Sequence, residues 1–125
     1  MRYDIVIKPL WTNQLIPASG SITSDPVDLG DLAQLGNFSL HLEITSTGAT
    51  IDASYLVSNS SQATTFTTPL GASDIVIDFW EYSGGSSNGI DVIPFDVIFA
   101  RYLKIKLTEI GGATGATVTA KLAVQ

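Results

Sequence analysis

Two stretches of strict alternation occupy the last third of the chain. In residues 100–107, Leu103, Ile105 and Leu107 share one parity while Tyr102, Lys104 and Lys106 take the other. In residues 117–124, Val118, Ala120, Leu122 and Val124 alternate with Thr117, Thr119 and Lys121. A two-residue period sends successive side chains to opposite faces, so each segment is a strand with one face on a core and one toward water or a partner. The link Gly111-Gly112-Ala113-Thr114-Gly115 is rich in turn residues and predicts a β-hairpin.

The same period recurs upstream. Phe38, Leu40, Leu42 and Ile44 alternate with Ser39, His41, Glu43 and Thr45; after the turn Ser46-Thr47-Gly48, Ile51, Ala53, Tyr55 and Val57 share a parity, which predicts a second hairpin. Residues 3–10 read as the first strand, with Tyr3, Ile5 and Ile7 on one face and Pro9 ending it or marking a sheet edge. Residues 11–19 read as a loop or linking arm. A short strand is expected at Ser21-Ile22-Thr23, then a turn at Asp25-Pro26. Leu29, Leu32 and Leu35 fall at three-residue spacing, which suits a single helical turn over residues 28–34 plugging one end of a sandwich. Residues 59–68 read as a loop with a short strand, and residues 73–82 as a strand with Ile75, Ile77 and Phe79 inward. Residues 83–89, Ser-Gly-Gly-Ser-Ser-Asn-Gly, predict a mobile surface loop. Residues 90–99 resume a strand or extended corner around Pro94.

Seven to eight short strands without crossover helices describe an all-β, two-sheet antiparallel sandwich of jelly-roll type. The chain has 125 residues, which suits one domain over 1–125, with 1–19 as first strand plus arm. It has no cysteine, so neither disulfides nor thiolate chemistry can operate. Twelve acidic against six basic residues leave a net charge of −6, which disfavours phosphate recognition and hence nucleic acid. No apolar run is long enough for a membrane span, and Asp4 and Lys8 interrupt the N-terminal apolar residues, so a signal peptide is not expected and synthesis in a cytoplasm is.

Candidate chemistry is sparse. His41, the one histidine, shares the polar parity of its strand, and no serine sits in a Gly-x-Ser-x-Gly elbow; it reads as a solvent-facing or interface residue. Asp78, Glu81 and Asp91 flank the glycine-rich loop, where oxygen ligands suit calcium, but their spacing matches no calcium-loop pattern, and solvated carboxylates are the plainer reading. Trp80 and Tyr82 fall opposite Phe79, beside the loop that carries Asn88, and Trp11 lies near another loop. Exposed aromatics there either anchor a protein interface or stack on sugars. Lys104, Lys106 and Lys121 lie on polar parities and would form a basic stripe if the last two strands paired. Such a stripe either solvates a face or meets acidic residues of a neighbouring copy. No catalytic set, metal set or cofactor site emerges.

The run Phe99-Ala100-Arg101-Tyr102-Leu103-Lys104-Ile105-Lys106, the glycine turn at 111–115 and Val118-Thr119-Ala120-Lys121-Leu122-Ala123-Val124-Gln125 resemble small β-sandwich proteins encoded among the structural genes of tailed bacteriophages. Gly20-Ser21-Ile22, Phe38-Ser39-Leu40 and Tyr55-Leu56-Val57-Ser58-Asn59 extend the likeness over residues 20–125. The Ala-Arg-Tyr-Leu-Lys-Ile run also resembles a late strand of discoidin-like sandwiches, although the cysteine pair often seen there is missing. The first resemblance implies a virion component, a capsid decoration or accessory protein. Its implied partners are the major capsid protein and further copies of itself, held by burying side chains and pairing strand edges. The second implies glycan or lipid-headgroup binding through loops; read from the residues alone, a carbohydrate-binding module would stack sugars on Trp80, Tyr82 and Trp11.

Overall fold

The computed structural model describes residues 4–30, 32–33, 35–45 and 48–125. It is an antiparallel β-sandwich of nine strands: β1 (Val6–Ile16), β2 (Ser21–Thr23), β3 (Val27–Asp28), β4 (Phe38–Thr45), β5 (Ile51–Ser58), β6 (Val76–Phe79), β7 (Ile90–Phe95), β8 (Tyr102–Glu109) and β9 (Ala116–Val124). One sheet runs β1-β9-β4-β7; the other runs β2-β8-β5-β6, with β3 also on β8. This is jelly-roll order, in which consecutive strands mostly change sheet. The count exceeds the expected eight because β2 and β3 are one strand broken at Ser24-Asp25-Pro26. At the break Ser24 keeps β8 satisfied: its hydroxyl accepts the Ile105 amide at 2.9 Å, and its own N–H donates to the Ile105 carbonyl at 2.8 Å.

Alternation delivers the core as expected. Leu40, Leu42, Val118, Ala120 and Leu122 from the first sheet face Ala53, Tyr55, Leu103, Ile105 and Leu107 from the second, all at or near complete burial. Phe95 closes one end, its ring 5.8 Å from Phe38 and 6.1 Å from Tyr55 across the two sheets.

Neither predicted hairpin forms. β4 and β5 lie in different sheets, as do β8 and β9, so both links are crossovers over the edge of the core. β9 pairs instead with β1 and β4, and β5 pairs with β8. Two amphipathic strands joined by glycines bury their apolar faces equally well side by side or face to face, and the pattern within each strand does not distinguish these arrangements.

Other departures trace to broken periodicity. Residues 11–16 are the second half of β1, not a linking arm: register shifts at Pro9/Trp11 and Trp11/Gln14, with Asn13 at φ 49°, scramble the alternation that would have marked them. Pro9 sits inside this strand because β1 is an edge. Ile5 and Ile7 face outward, while Tyr3 lies outside the described residues. Ile77 is exposed, whereas Ile75 and Phe79 are buried, because Asp78 adopts φ 56° and shifts the register against β5. Over residues 28–34 the helical turn reduces to amides of Leu32 and Ala33 donating to the Leu29 carbonyl; Leu29 is buried and Leu35 exposed, and positions 31 and 34 lie outside the described residues. Residues 59–68 hold a short 3-10 turn at Ala63–Thr65 and a bridge between Thr67 and Val57.

Candidate functional site

Uncovered large apolar side chains concentrate in one segment of the chain. Eight of the thirteen exposed large apolar side chains among the described residues fall between positions 70 and 99: Leu70, Ile77, Trp80, Tyr82, Ile90, Val92, Ile98 and Phe99. This segment contains β6 and β7, the terminal strands of the two sheets. A cavity of about 360 Å³ lined by Ala72, Ile75, Pro94, Phe95 and Val97 places the two strands on the same side of the sandwich.

Trp80 and Tyr82 form an edge-on pair, ring centroids 4.9 Å apart at 81°. They stand on a folded turn. The Trp80 amide donates to Ser83 Oγ (3.0 Å), the Ser83 amide to the Trp80 carbonyl (2.9 Å), the Ser87 amide to the Gly84 carbonyl (3.1 Å) and the Gly89 amide to the Ser83 carbonyl (2.9 Å). The Ile44 amide then donates to Gly89, which ties the turn to the end of β4. The segment expected to be mobile is thus built from successive hydrogen-bonded turns, with Asn88 exposed on it. Glycine composition hid this because glycine serves tight turns and floppy linkers alike: Gly84 at φ 93° takes a backbone conformation that residues with a Cβ rarely adopt.

The other sequence-derived candidates lie elsewhere. Trp11 is half-buried on β1, the opposite edge of the first sheet, and packs against the core. Lys104 and Lys106 project from β8 on the outer face of the second sheet, where the Lys104 ammonium lies 4.4 Å from the Phe66 ring centroid. Lys121, on β9, is across from His41 on the other sheet, so the three lysines form no stripe. His41 Nε2 is 3.5 Å from Glu43 Oε1 on the open face. Glu81 accepts the Gly48 amide and Asp91 the Val92 amide; among the described residues no three metal-ligating side chains converge.

Two features escaped the sequence reading. Glu109 is buried at the end of β8, and its carboxylate accepts four backbone N–H groups, from Ser19, Thr50, Gly111 and Gly112, at 2.7–3.1 Å. Burial pushes its carboxyl up, and these donors more than offset that, drawing it from 4.5 to about 2. The signal was present: Glu109 continues the inward parity of Leu103, Ile105 and Leu107, immediately before two glycines. The second feature is the β7–β8 connection, where Phe99 is fully exposed beside Arg101. Arg101 makes a two-point contact with Asp28 (Nε to Oδ1 and Nη2 to Oδ2, both 3.1 Å). That contact, with the Gly30 amide, holds the Asp28 carboxyl below its ordinary range.

The sheet edges carry features that blunt strand addition. On β7 the Val92 amide is taken by Asp91 Oδ1 at 2.9 Å and Pro94 has no amide proton. β1 carries Pro9 and two register shifts, β2 and β3 are interrupted, and β6 is four residues long with its Asp78 amide bound to Asp52 Oδ1. On β7 these features remove two of the amides that an added strand would use.

The fold recurs in a virus. A chain in the solved structure of infectious bursal disease virus Gx strain superposes over 96% of this chain, with a TM-score of 0.51 at 10% identity. This chain spans 31% of the length of that one. Neither a protein-family model nor a curated protein matches the sequence.

Proposed function

We propose that this chain is a non-enzymatic structural component of a virus particle, a capsid decoration or accessory assembly protein of a tailed bacteriophage. In that role it binds other virion proteins such as the major capsid protein, and further copies of itself. The observation that carries the reading is the β6–β7 flank. Eight large apolar side chains stand uncovered in the segment that contains these strands, while the β7 edge is capped at Val92 and Pro94, a combination suited to side-chain docking without runaway sheet growth. The fold supports it, a chain of a virus structure superposing on it with a TM-score of 0.51, and so does the tailed-phage resemblance of residues 99–125. No nucleic acid, membrane or cofactor enters this role, and the protein resides in the virion.

Sedimentation with particles tests it. The full chain is expected to co-sediment with the particles of the phage that encodes it and to appear as ordered density on the capsid or tail, with Trp80→Ala reducing occupancy. Failure to sediment with particles overturns the reading. Saturable binding to a defined glycan, abolished by Trp80→Ala, would replace it with the sugar-binding alternative built on Trp80, Tyr82 and Asn88.

A further inference from the structure

The edge of β5 is uncovered at Tyr55. Val57 exchanges backbone hydrogen bonds with Thr67 at 2.9 and 3.0 Å, and the Ala53 carbonyl accepts the Ile75 amide at 2.8 Å. Between these ties residues 54–56 face residues 68–74, so the longer segment bows outward, through a turn closed by the Ala72 amide on the Pro69 carbonyl with Gly71 at φ 79°. The bow leaves the cavity of about 360 Å³ that Tyr55 lines together with Ala72, Ile75, Phe95 and Val97. Ligand pockets run from about 300 to 1,000 Å³, so this one suits a single small group. Tyr55 is only 3% exposed. Its hydroxyl hydrogen-bonds to no described residue, yet no side-chain polar atom among the described residues is both sealed from solvent and unpaired. The hydroxyl is therefore reached through the cavity.

The charge along this cavity has one sign. Asp74 and Asp96 also line it, both exposed and neither bonded to a described residue, and no Lys or Arg lines it. Low-dielectric walls beside charges of one sign raise the local concentration of the opposite ion. A metal fits poorly: calcium takes about six to eight oxygens, and among the described residues no three metal-ligating side chains converge. A primary ammonium on an aliphatic stem fits the whole lining. Its head carries only donors, to match the phenol oxygen and the carboxylates, and its methylenes match Ile75, Phe95 and Val97. We propose that this cavity binds a primary ammonium group at the end of an aliphatic chain, presented by a lysine side chain of another protein or by a free polyamine. The site is separate from the Trp80–Tyr82 pair and stands without the virion reading.

Titration of the isotope-labelled full chain with butylammonium chloride, followed by amide NMR shifts, tests the proposal, with butanol as the uncharged probe of like shape. Saturable shifts centred on Tyr55, Ile75 and Val97 are expected with butylammonium at concentrations where butanol gives none. Tyr55→Phe removes only the hydroxyl and is expected to weaken binding by about ten-fold, the scale of one hydrogen bond to a charged group. Its thermal midpoint should not fall, because the hydroxyl has no partner in the fold. Asp74→Asn combined with Asp96→Asn is expected to abolish binding. Absence of saturable shifts, an equal response to butanol, or unchanged affinity in either variant overturns the site, as does a midpoint lowered by Tyr55→Phe. Tighter binding of putrescine than of Nα-acetyl-lysine methylamide assigns the site to free polyamines, and the reverse order assigns it to a lysine side chain. A chain that binds butylammonium but never sediments with particles removes the virion reading alone, whereas one that sediments without binding removes this site alone.

Discussion

Thr50 and Glu109 lie 59 positions apart, yet the Thr50 amide donates to Glu109 Oε2 at 3.0 Å. The same carboxylate holds Gly111 and Gly112 on the β8–β9 crossover and Ser19 on the β1–β2 turn. Three connections that leave one end of the sandwich therefore share one acceptor. Jelly-roll winding exposes backbone donors wherever a chain leaves one sheet for the other, and a buried anion with four acceptor sites satisfies several at once.

The Glu109 pKa makes this junction pH-sensitive in a definite direction. The folded-state value, about 2, lies below the ordinary 4.5, so its stabilisation is full above about pH 4.5 and is lost as pH falls toward 2, where the unfolded chain takes up the proton first. Glu109→Gln is expected to lower stability at neutral pH by about 1–3 kcal/mol, since an amide cannot accept four N–H groups, and to flatten the urea midpoint between pH 5 and pH 2. Asp28, held low by Arg101, acts in the same sense, so the difference between wild type and variant is the quantity to measure. An unchanged midpoint at pH 7 would mean that water satisfies these amides.

Gly84→Ala is expected to unseat the turn that carries Trp80 and Tyr82. A Cβ there would run into the Ile90 carbonyl, and φ 93° is strained for alanine. Gly85→Ala meets nothing within 4 Å and should be nearly silent. Tryptophan fluorescence and thermal midpoints separate the two; equal behaviour would argue for the mobile loop that composition suggested.

Opening the β7 edge should promote association. Asp91→Ala releases the Val92 amide and Pro94→Val restores a missing donor, so the double variant presents the row of Ile90 and Val92 with an intact hydrogen-bonding edge. Light scattering is expected to show larger species that wild type lacks at equal concentration. Their absence would show that the two residues are not what closes this edge.

The parity assigned to β4 predicts opposite outcomes at adjacent positions. Leu40 is fully buried, and Leu40→Ala should cost about 2–5 kcal/mol. Ser39 points outward, and Ser39→Ala should stay within about 0.5 kcal/mol. Urea denaturation of both variants checks the assignment.

What the linear chain determined was the character of each well-formed strand. β4, β5, β8 and β9 were legible almost residue for residue, because alternation is a property of neighbours along the backbone and the burial of Leu40 or Ile105 follows from it. Elements with bulges were not: the second half of β1 and the inward face of β6 depend on Asn13 and Asp78 in left-handed backbone conformations, where period-two counting fails. Of the candidate contact residues, Trp80, Tyr82 and Asn88 do stand exposed together, while Trp11, Lys104 and Lys106 are dispersed over other faces. Strand partnership was decided only in three dimensions. Between Ile44 and Ile51, and again between Leu107 and Ala116, a tight hairpin and a crossover expose the same polar faces and bury the same apolar ones. The choice rests on which distant strand offers the better-matched face and on whether a single buried carboxylate can hold the amides that the crossings leave unpaired.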